Sequence, residues 1–181
     1  MTHFPAERYA FPMHSVESSR TAALRPAPDR APRRLYTPAE RARRDATVWT
    51  SVQAVLAPLQ FAVFLVSLGL VLWALTTGAG YALATASILL KTAILYVIMV
   101  TGAIWEKVVF GQWLFAPAFF WEDVVSFAVI ALHTGYLWVL WQGAAPETAL
   151  TVALAAYAAY VVNAAQFVLK LRQARRAEAA T

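Results

Sequence analysis

The chain contains no cysteine in its 181 residues. That excludes disulfides, thiolate metal sites and a cysteine nucleophile. Charge is scarce as well: 14% of residues are Asp, Glu, Lys or Arg, against 60% hydrophobic. Soluble domains carry about a quarter charged residues and roughly 45–50% apolar ones, so a soluble enzyme is a poor fit. There is no glycine-rich phosphate loop, no HExxH and no serine elbow. The N-terminus has no apolar segment of the signal-peptide kind. No internal repeat or pair of broken helices points to a transporter.

What is present is a set of apolar runs, each long enough to cross a bilayer. They fall at about Ser51–Leu75, Tyr81–Ile104, Glu122–Trp141 and Glu147–Leu169. The expected fold is all-α: an integral-membrane four-helix bundle spanning 37–173. Before it, 1–36 reads as a disordered, basic, proline-rich cytoplasmic tail (Pro5, Pro12, Pro26, Pro28, Pro32) without apolar periodicity. After it, 174–181 reads as a short basic tail. Thr37-Pro38-Ala39-Glu40 carries a capping box with proline at the first helical position. One helix is expected to run from there through Arg41, Arg43 and Arg44 into the first span. Pro58, flanked by Gln53 and Gln60, should kink that span. The alanine-rich fourth span suits close helix contact, inside the bundle or with a second copy.

The net charge of +5 does not imply nucleic acid, because its placement follows the membrane. Nine Arg precede the first span; Lys170, Arg172, Arg175 and Arg176 end the fourth; Lys107 lies between the second and third. The other two connections hold no Lys or Arg. This positive-inside pattern predicts both termini in the cytoplasm. Trp49, Trp105, Trp113 and Trp121 would mark that interface, and Trp73, Tyr81, Trp138 and Trp141 the opposite one.

The chain centres on Trp105–Asp123, WEKVVFGQWLFAPAFFWED, between the second and third spans. Gly111 and Pro117 break a single helix there, so an interfacial or re-entrant segment is expected. It sets Glu106, Lys107, Glu122 and Asp123 among seven aromatic side chains. Charges in such surroundings must be paired, wet or used. Glu106 and Glu122 read either as interfacial ion-pair partners or as proton carriers. Trp105, Phe110, Trp113, Phe115, Phe119, Phe120 and Trp121 read either as an anchoring belt or as a cleft for a large planar ligand.

At 100° per residue, Ser126 lies about 40° and His133 about 20° from Glu122 on one helix face, with Asp123 about 100° away. His133 sits roughly 16 Å deeper than Glu122. It reads as a satisfied interior histidine, as a ligand to the metal of a tetrapyrrole, or as an acid or base. Lys91, deep in the second span, must snorkel, pair or lose its proton. Asn163 and Gln166 lie in the second half of the fourth span.

Three stretches, LYTPAERARRDATVWTSVQAVLAPLQF, TGAIWEKVVFGQWLFAPAFFWEDVVSFAVIALHT and AAYAAYVVNAAQFVLKLR, resemble the 3-vinyl (bacterio)chlorophyllide hydratase family of bacteriochlorophyll synthesis. The resemblance covers about Leu35 to Arg172. It implies a hydro-lyase of a phototrophic bacterium's cytoplasmic (intracytoplasmic) membrane, adding water to the 3-vinyl group of chlorophyllide a to give a 3-(1-hydroxyethyl) group. No cofactor is implied, because hydration changes no oxidation state. Hand-off to neighbouring pathway enzymes is an expected partnership, alongside the lipid bilayer. On that premise Glu122 is the first candidate acid and Glu106 the second. Asp123 or Ser126 would hold water, and His133 would ligate the substrate magnesium, the protein having no metal of its own. Lys91 would pair with a propionate or a site carboxylate. Asn163, Gln166, Trp105, Trp113, Phe119, Phe120 and Trp121 would line the binding site. The rival expectation is a non-catalytic pigment-binding or assembly protein, which needs His133 but not the carboxylates.

Overall fold

The computed structural model describes residues 35–179. The proline-rich residues 1–34, expected as a tail, and the last two residues lie outside them. The described residues form five helices: α1 (Pro38–Ala46), α2 (Val48–Thr77), α3 (Tyr81–Phe110), α4 (Phe120–Trp141) and α5 (Pro146–Ala179). The last four are long and apolar enough to cross a membrane. With four antiparallel spans, α1 and the end of α5 share one end of the bundle with the α3–α4 connection, here called the loop end. The connections after α2 and α4 form the turn end.

Besides α5, which runs on to Ala179 through part of the stretch expected as a tail, two boundaries differ from the sequence expectation. The first helix does not run on into the first span. Thr47 is extended (φ −84°, ψ 138°), ends α1 and caps α2 through its side chain on the Trp49 N–H. The signal was a threonine directly before the apolar run, a good N-cap. The second difference lies in the central stretch. α3 continues through Trp105 and Glu106 to Phe110 and stops at Gly111, whose φ of 83° closes the helix. α4 starts at Phe120, leaving only 111–119 outside helices. Thirty residues of α3 rise about 45 Å against the roughly 30 Å of a bilayer's hydrocarbon. The loop-end turns of α3 therefore project toward the interface.

α1 lies across the loop end. Its capping box is complete, and the Thr37 backbone N–H holds the Glu40 carboxyl below its ordinary range. Arg43 Nε donates to the Val109 carbonyl at 2.8 Å, satisfying an acceptor that the end of α3 leaves open.

Packing divides the bundle along its length. α2 pairs with α3 and α4 with α5, and the two pairs meet along lighter seams, α2 with α5 and α3 with α4. The apolar core gathers toward the turn end: Val71, Ala84, Ile88, Val129, Tyr136, Ala149 and Ala153 are fully buried there. Ser67 ties three helices in this region, bonding Ser87 and Tyr157 at 2.6 Å each. Toward the loop end, α3 has no buried residue between Leu95 and Glu106. There the interior side chains turn polar: Gln60, Lys91, Ser126, His133 and Asn163 are all buried.

The turn end provides a test of packing. Gly78 and Gly80 both have positive φ, but a methyl on Gly78 meets open space whereas one on Gly80 runs into the Trp73 indole. Gly78→Ala should cost about 1–2 kcal/mol for the left-handed backbone alone. Gly80→Ala should cost about 1 kcal/mol more through overpacking. Unfolding of the two variants in mixed micelles compares them, and equal losses would show that Trp73 moves aside freely.

Candidate active site

The loop end of α3 and α4 brings three carboxyl groups together. Glu106, Glu122 and Asp123 expose 5%, 7% and 5% of their surface. The carboxyl groups of Glu106 and Asp123 come together at the α3–α4 seam, on two consecutive residues of the connecting loop. An ionised carboxylate only accepts, so the two can bond directly to each other only when one carries a proton. Each also takes a backbone N–H from the connecting loop. Glu106 Oε2 accepts from Ala116 at 3.1 Å and Asp123 Oδ2 from Phe115 at 2.6 Å. Phe115 holds a left-handed backbone (φ 59°) to present its N–H, a conformation costing a non-glycine residue about 1–2 kcal/mol.

Glu122 is held differently. Its Oε2 pairs with Lys170 Nζ of α5 at 2.5 Å, and Lys170 in turn stands 5.0 Å from the Phe119 ring centre. The carboxyl groups thus separate into two anchored on loop N–H groups and one paired with Lys170. A turn deeper, Ser126 of α4 and Asn163 of α5 bond to each other, with Asn163 Nδ2 donating to Ser126 Oγ at 3.0 Å. Gln166 Oε1 is buried in the same helix without a partner among the described residues.

About 15 Å below Asp123 by helix rise, His133 and Lys91 mark the floor of this polar interior. Both are fully buried. His133 Nδ1 lies 2.8 Å from the Val129 carbonyl. That bond assigns the proton to Nδ1 and leaves a lone pair on Nε2, which has no partner among the described residues. Lys91 Nζ likewise has none, and stands 3.7 Å from the Tyr160 ring centre. Buried unpaired polar groups are costly and cluster at functional sites.

The seven aromatics of the central stretch divide into two groups. Trp105, Phe110 and Phe119 face inward and pack with Tyr36 and Phe167. Phe119 is the hub, 5.6 Å from Trp105, 5.9 Å from Phe110 and 6.2 Å from Phe167. Phe115, Phe120 and Trp121 face outward in a second group with Phe127, and Trp113 is exposed beside Lys107. The inner group closes the loop end over the carboxyl groups.

The residues singled out from sequence therefore gather in one column: Glu106, Glu122 and Asp123 at the head, Ser126, Asn163 and Gln166 in the middle, His133 and Lys91 at the floor. Two contributors were not counted. Lys170 read as a topology signal, although its spacing after Asn163 and Gln166 places it on the same face. Gln60 read as a neighbour of Pro58, but its Oε1 is buried and unpartnered, one turn from Phe64, which packs on Tyr160.

Comparison with known proteins gives a consistent identification. The family described as 2-vinyl bacteriochlorophyllide hydratase matches residues 36–173. A protein named 2-vinyl bacteriochlorophyllide hydratase from Cereibacter sphaeroides is 69% identical over 153 residues, covering 84% of this chain and 96% of its own. One of the same name from Rhodobacter capsulatus is 70% identical over 141 residues, covering 78% and 82%. No solved structure matches.

The loop contacts generate a prediction. Asp123→Ala removes the acceptor for Phe115 N–H and should free 111–119, raising protease cleavage there several-fold. Asp123→Asn keeps an acceptor oxygen and should leave the loop largely protected. Equal protection in both variants would show that the carboxyl group does not anchor the loop.

Proposed function

The chain belongs to the 2-vinyl bacteriochlorophyllide hydratase family and is a hydratase of bacteriochlorophyll biosynthesis, and we propose that the polar column headed by Glu106 and Asp123 is its active site. The group that the family name numbers 2 is the 3-vinyl of current ring numbering. The observation that carries this reading is the placing of two buried carboxyl groups on consecutive N–H groups of one loop.

Such a pair supplies both halves of a hydration. The protonated member gives its proton to the terminal vinyl carbon, breaking the π bond and forming a methyl group. The positive charge at the adjacent carbon spreads into the macrocycle. Water attacks that carbon, its oxygen forms the new C–O bond, and its excess proton passes to the ionised member. The pair ends each turnover with one proton, as it began, so no external acid or base is consumed. Glu122 is engaged with Lys170 and stands beside the pair.

The remaining residues hold the substrate. His133 Nε2, with its lone pair directed away from Val129, would ligate the magnesium of the substrate. Lys91 would meet a substrate carboxylate, and Ser126, Asn163 and Gln166 would hold the attacking water. About 15 Å of helix rise between the head and floor of the column leaves room for the half-width of a tetrapyrrole, from its central magnesium to its vinyl edge, with side chains reaching in from both ends. Trp105 and Phe119 would wall the ring from above, and Trp113, Phe120 and Trp121 would line its entry from the interface. We place the loop end in the cytoplasm, since among the described residues every Lys and Arg except Lys91 belongs to that end. The protein then lies in the cytoplasmic membrane and opens its site toward neighbouring enzymes of the pathway.

Membranes holding this chain alone should convert chlorophyllide a to a product heavier by one water, with a blue-shifted red absorption band. Unchanged pigment would refute the assignment. Glu106→Gln and Asp123→Asn should each lower turnover about 100-fold or more, the usual scale of acid–base catalysis, while pigment still binds. Turnover near wild type in either would remove the pair from the mechanism. The cysteine-free sequence makes sidedness simple to check. A cysteine at Trp113 should react with an impermeant thiol reagent from the cytoplasmic face, and one at Gly78 only from the opposite face.

A further inference from the structure

We propose that Lys91, with Gln60 beside it, is the specificity-determining site for a free carboxylate on the substrate: the tetrapyrrole enters acid-first, its ionised propionate innermost in the membrane and its vinyl edge toward the loop end. The inference rests on the proposed function and deepens it by naming what the floor of the column selects.

The floor is built by all four spans. Lys91 of α3 and His133 of α4 are fully buried, and Gln60 of α2 is nearly so. Each carries a buried polar atom without a partner among the described residues: Lys91 Nζ, His133 Nε2 and Gln60 Oε1. They gather around two tyrosines of α5. Lys91 Nζ stands 3.7 Å from the Tyr160 ring centre, and the His133 ring 5.9 Å from that of Tyr157. Phe64, one turn from Gln60, lies 4.9 Å from Tyr160. The register of α2 on α3 sets Gln60 beside Lys91. Gln53 reaches Ile98 and Thr101, and Ser67 bonds Ser87. Gln60 is midway between Gln53 and Ser67, so in this antiparallel pair it falls at the height of Lys91–Ile94.

An ammonium group so placed lacks a counter-charge in the protein. The nearest carboxyl group on its own helix, Glu106, lies about 22 Å away by helix rise. Glu147, at the start of α5, lies about 20 Å from Tyr160 by the same measure. Lys91 does not snorkel, since it has no exposed surface. The Tyr160 face offsets part of its charge but gives it no oxygen acceptor. A ligand carboxylate supplies both the charge and the acceptors. The Gln60 amide, turned about its last bond, donates its NH2 to the second carboxylate oxygen. An ester at that position would leave Lys91 buried and unmatched, the kind of missing partner that a site rejects most strongly. Its alcohol would also meet the packed core beyond the floor, where Ile88, Tyr136 and Ala153 are fully buried.

The test gives the purified full chain chlorophyllide a and the same pigment methylated at its propionate. Wild type should favour the free acid by about 100-fold in kcat/KM, the scale of lost hydrogen bonds to a charged group. Lys91→Met should lose most of its activity on the acid, so that the ratio falls close to one. Gln60→Leu should lower the ratio by about tenfold. Quenching of tryptophan fluorescence by each pigment reads the same preference without turnover. Thermal unfolding of the pigment-free chain separates a ligand role from a structural one. Removing an unmatched buried ammonium group leaves stability unchanged or raises it, so Lys91→Met should unfold at the wild-type temperature or above. Equal use of acid and ester by wild type, a free-acid preference retained in Lys91→Met, or a clear drop in that variant's unfolding temperature would overturn the inference. If wild type hydrated neither pigment, the proposed function would fail, and the binding preference read by quenching would still decide this inference.

Discussion

One arrangement organises the loop end of this protein: the carboxyl groups of Glu106 and Asp123, set on the consecutive N–H groups of Ala116 and Phe115. It joins α3 to α4 where those helices otherwise touch lightly, and it fixes the connecting loop through the Phe115 and Ala116 N–H groups. In the proposed mechanism the same pair holds a proton, since two ionised carboxylates cannot hydrogen-bond to each other. A structural clasp and a proton store are therefore one feature. The backbone strain at Phe115 is the cost of presenting two consecutive donors to that clasp.

The rest of the bundle follows from keeping such a site in a membrane. Toward the turn end the helices interlock through small and aromatic residues, with Ser67, Ser87 and Tyr157 forming a satisfied polar knot. Toward the loop end the apolar core gives way to a column of groups with unused hydrogen-bonding capacity, notably His133 Nε2 and Lys91 Nζ. Leaving these buried and unpaired costs free energy that the tightly packed half must offset. The inner aromatic group around Phe119 closes the column above, so the polar interior lies between two apolar layers.

Much of this was legible in the sequence because the signals are periodic. The spans follow from run length, and the column on α4 from Glu122, Ser126 and His133 sharing a face at 100° per residue. What was not legible depended on contacts between helices. Nothing in local spacing says that Asp123 of α4 meets Glu106 of α3, or that Lys170 of α5 takes Glu122. Those pairings separated three similar carboxyl groups into different roles, and they move the acid from Glu122 to the Glu106–Asp123 pair in the account proposed above. The aromatic stretch was visible as composition, but its division into inner and outer groups required knowing that α3 persists to Phe110. The break at Thr47 was missed because a basic helix followed by an apolar one reads as continuous unless the capping threonine is weighed.

The shared proton is the central claim, and infrared spectroscopy tests it most directly. Wild-type protein at neutral pH should show the carbonyl stretch of a protonated carboxyl group, shifted on exchange into heavy water. That band should vanish in Glu106→Gln and in Asp123→Asn and persist in Glu122→Gln. A wild-type spectrum without the band, or a band lost only in Glu122→Gln, would contradict the account.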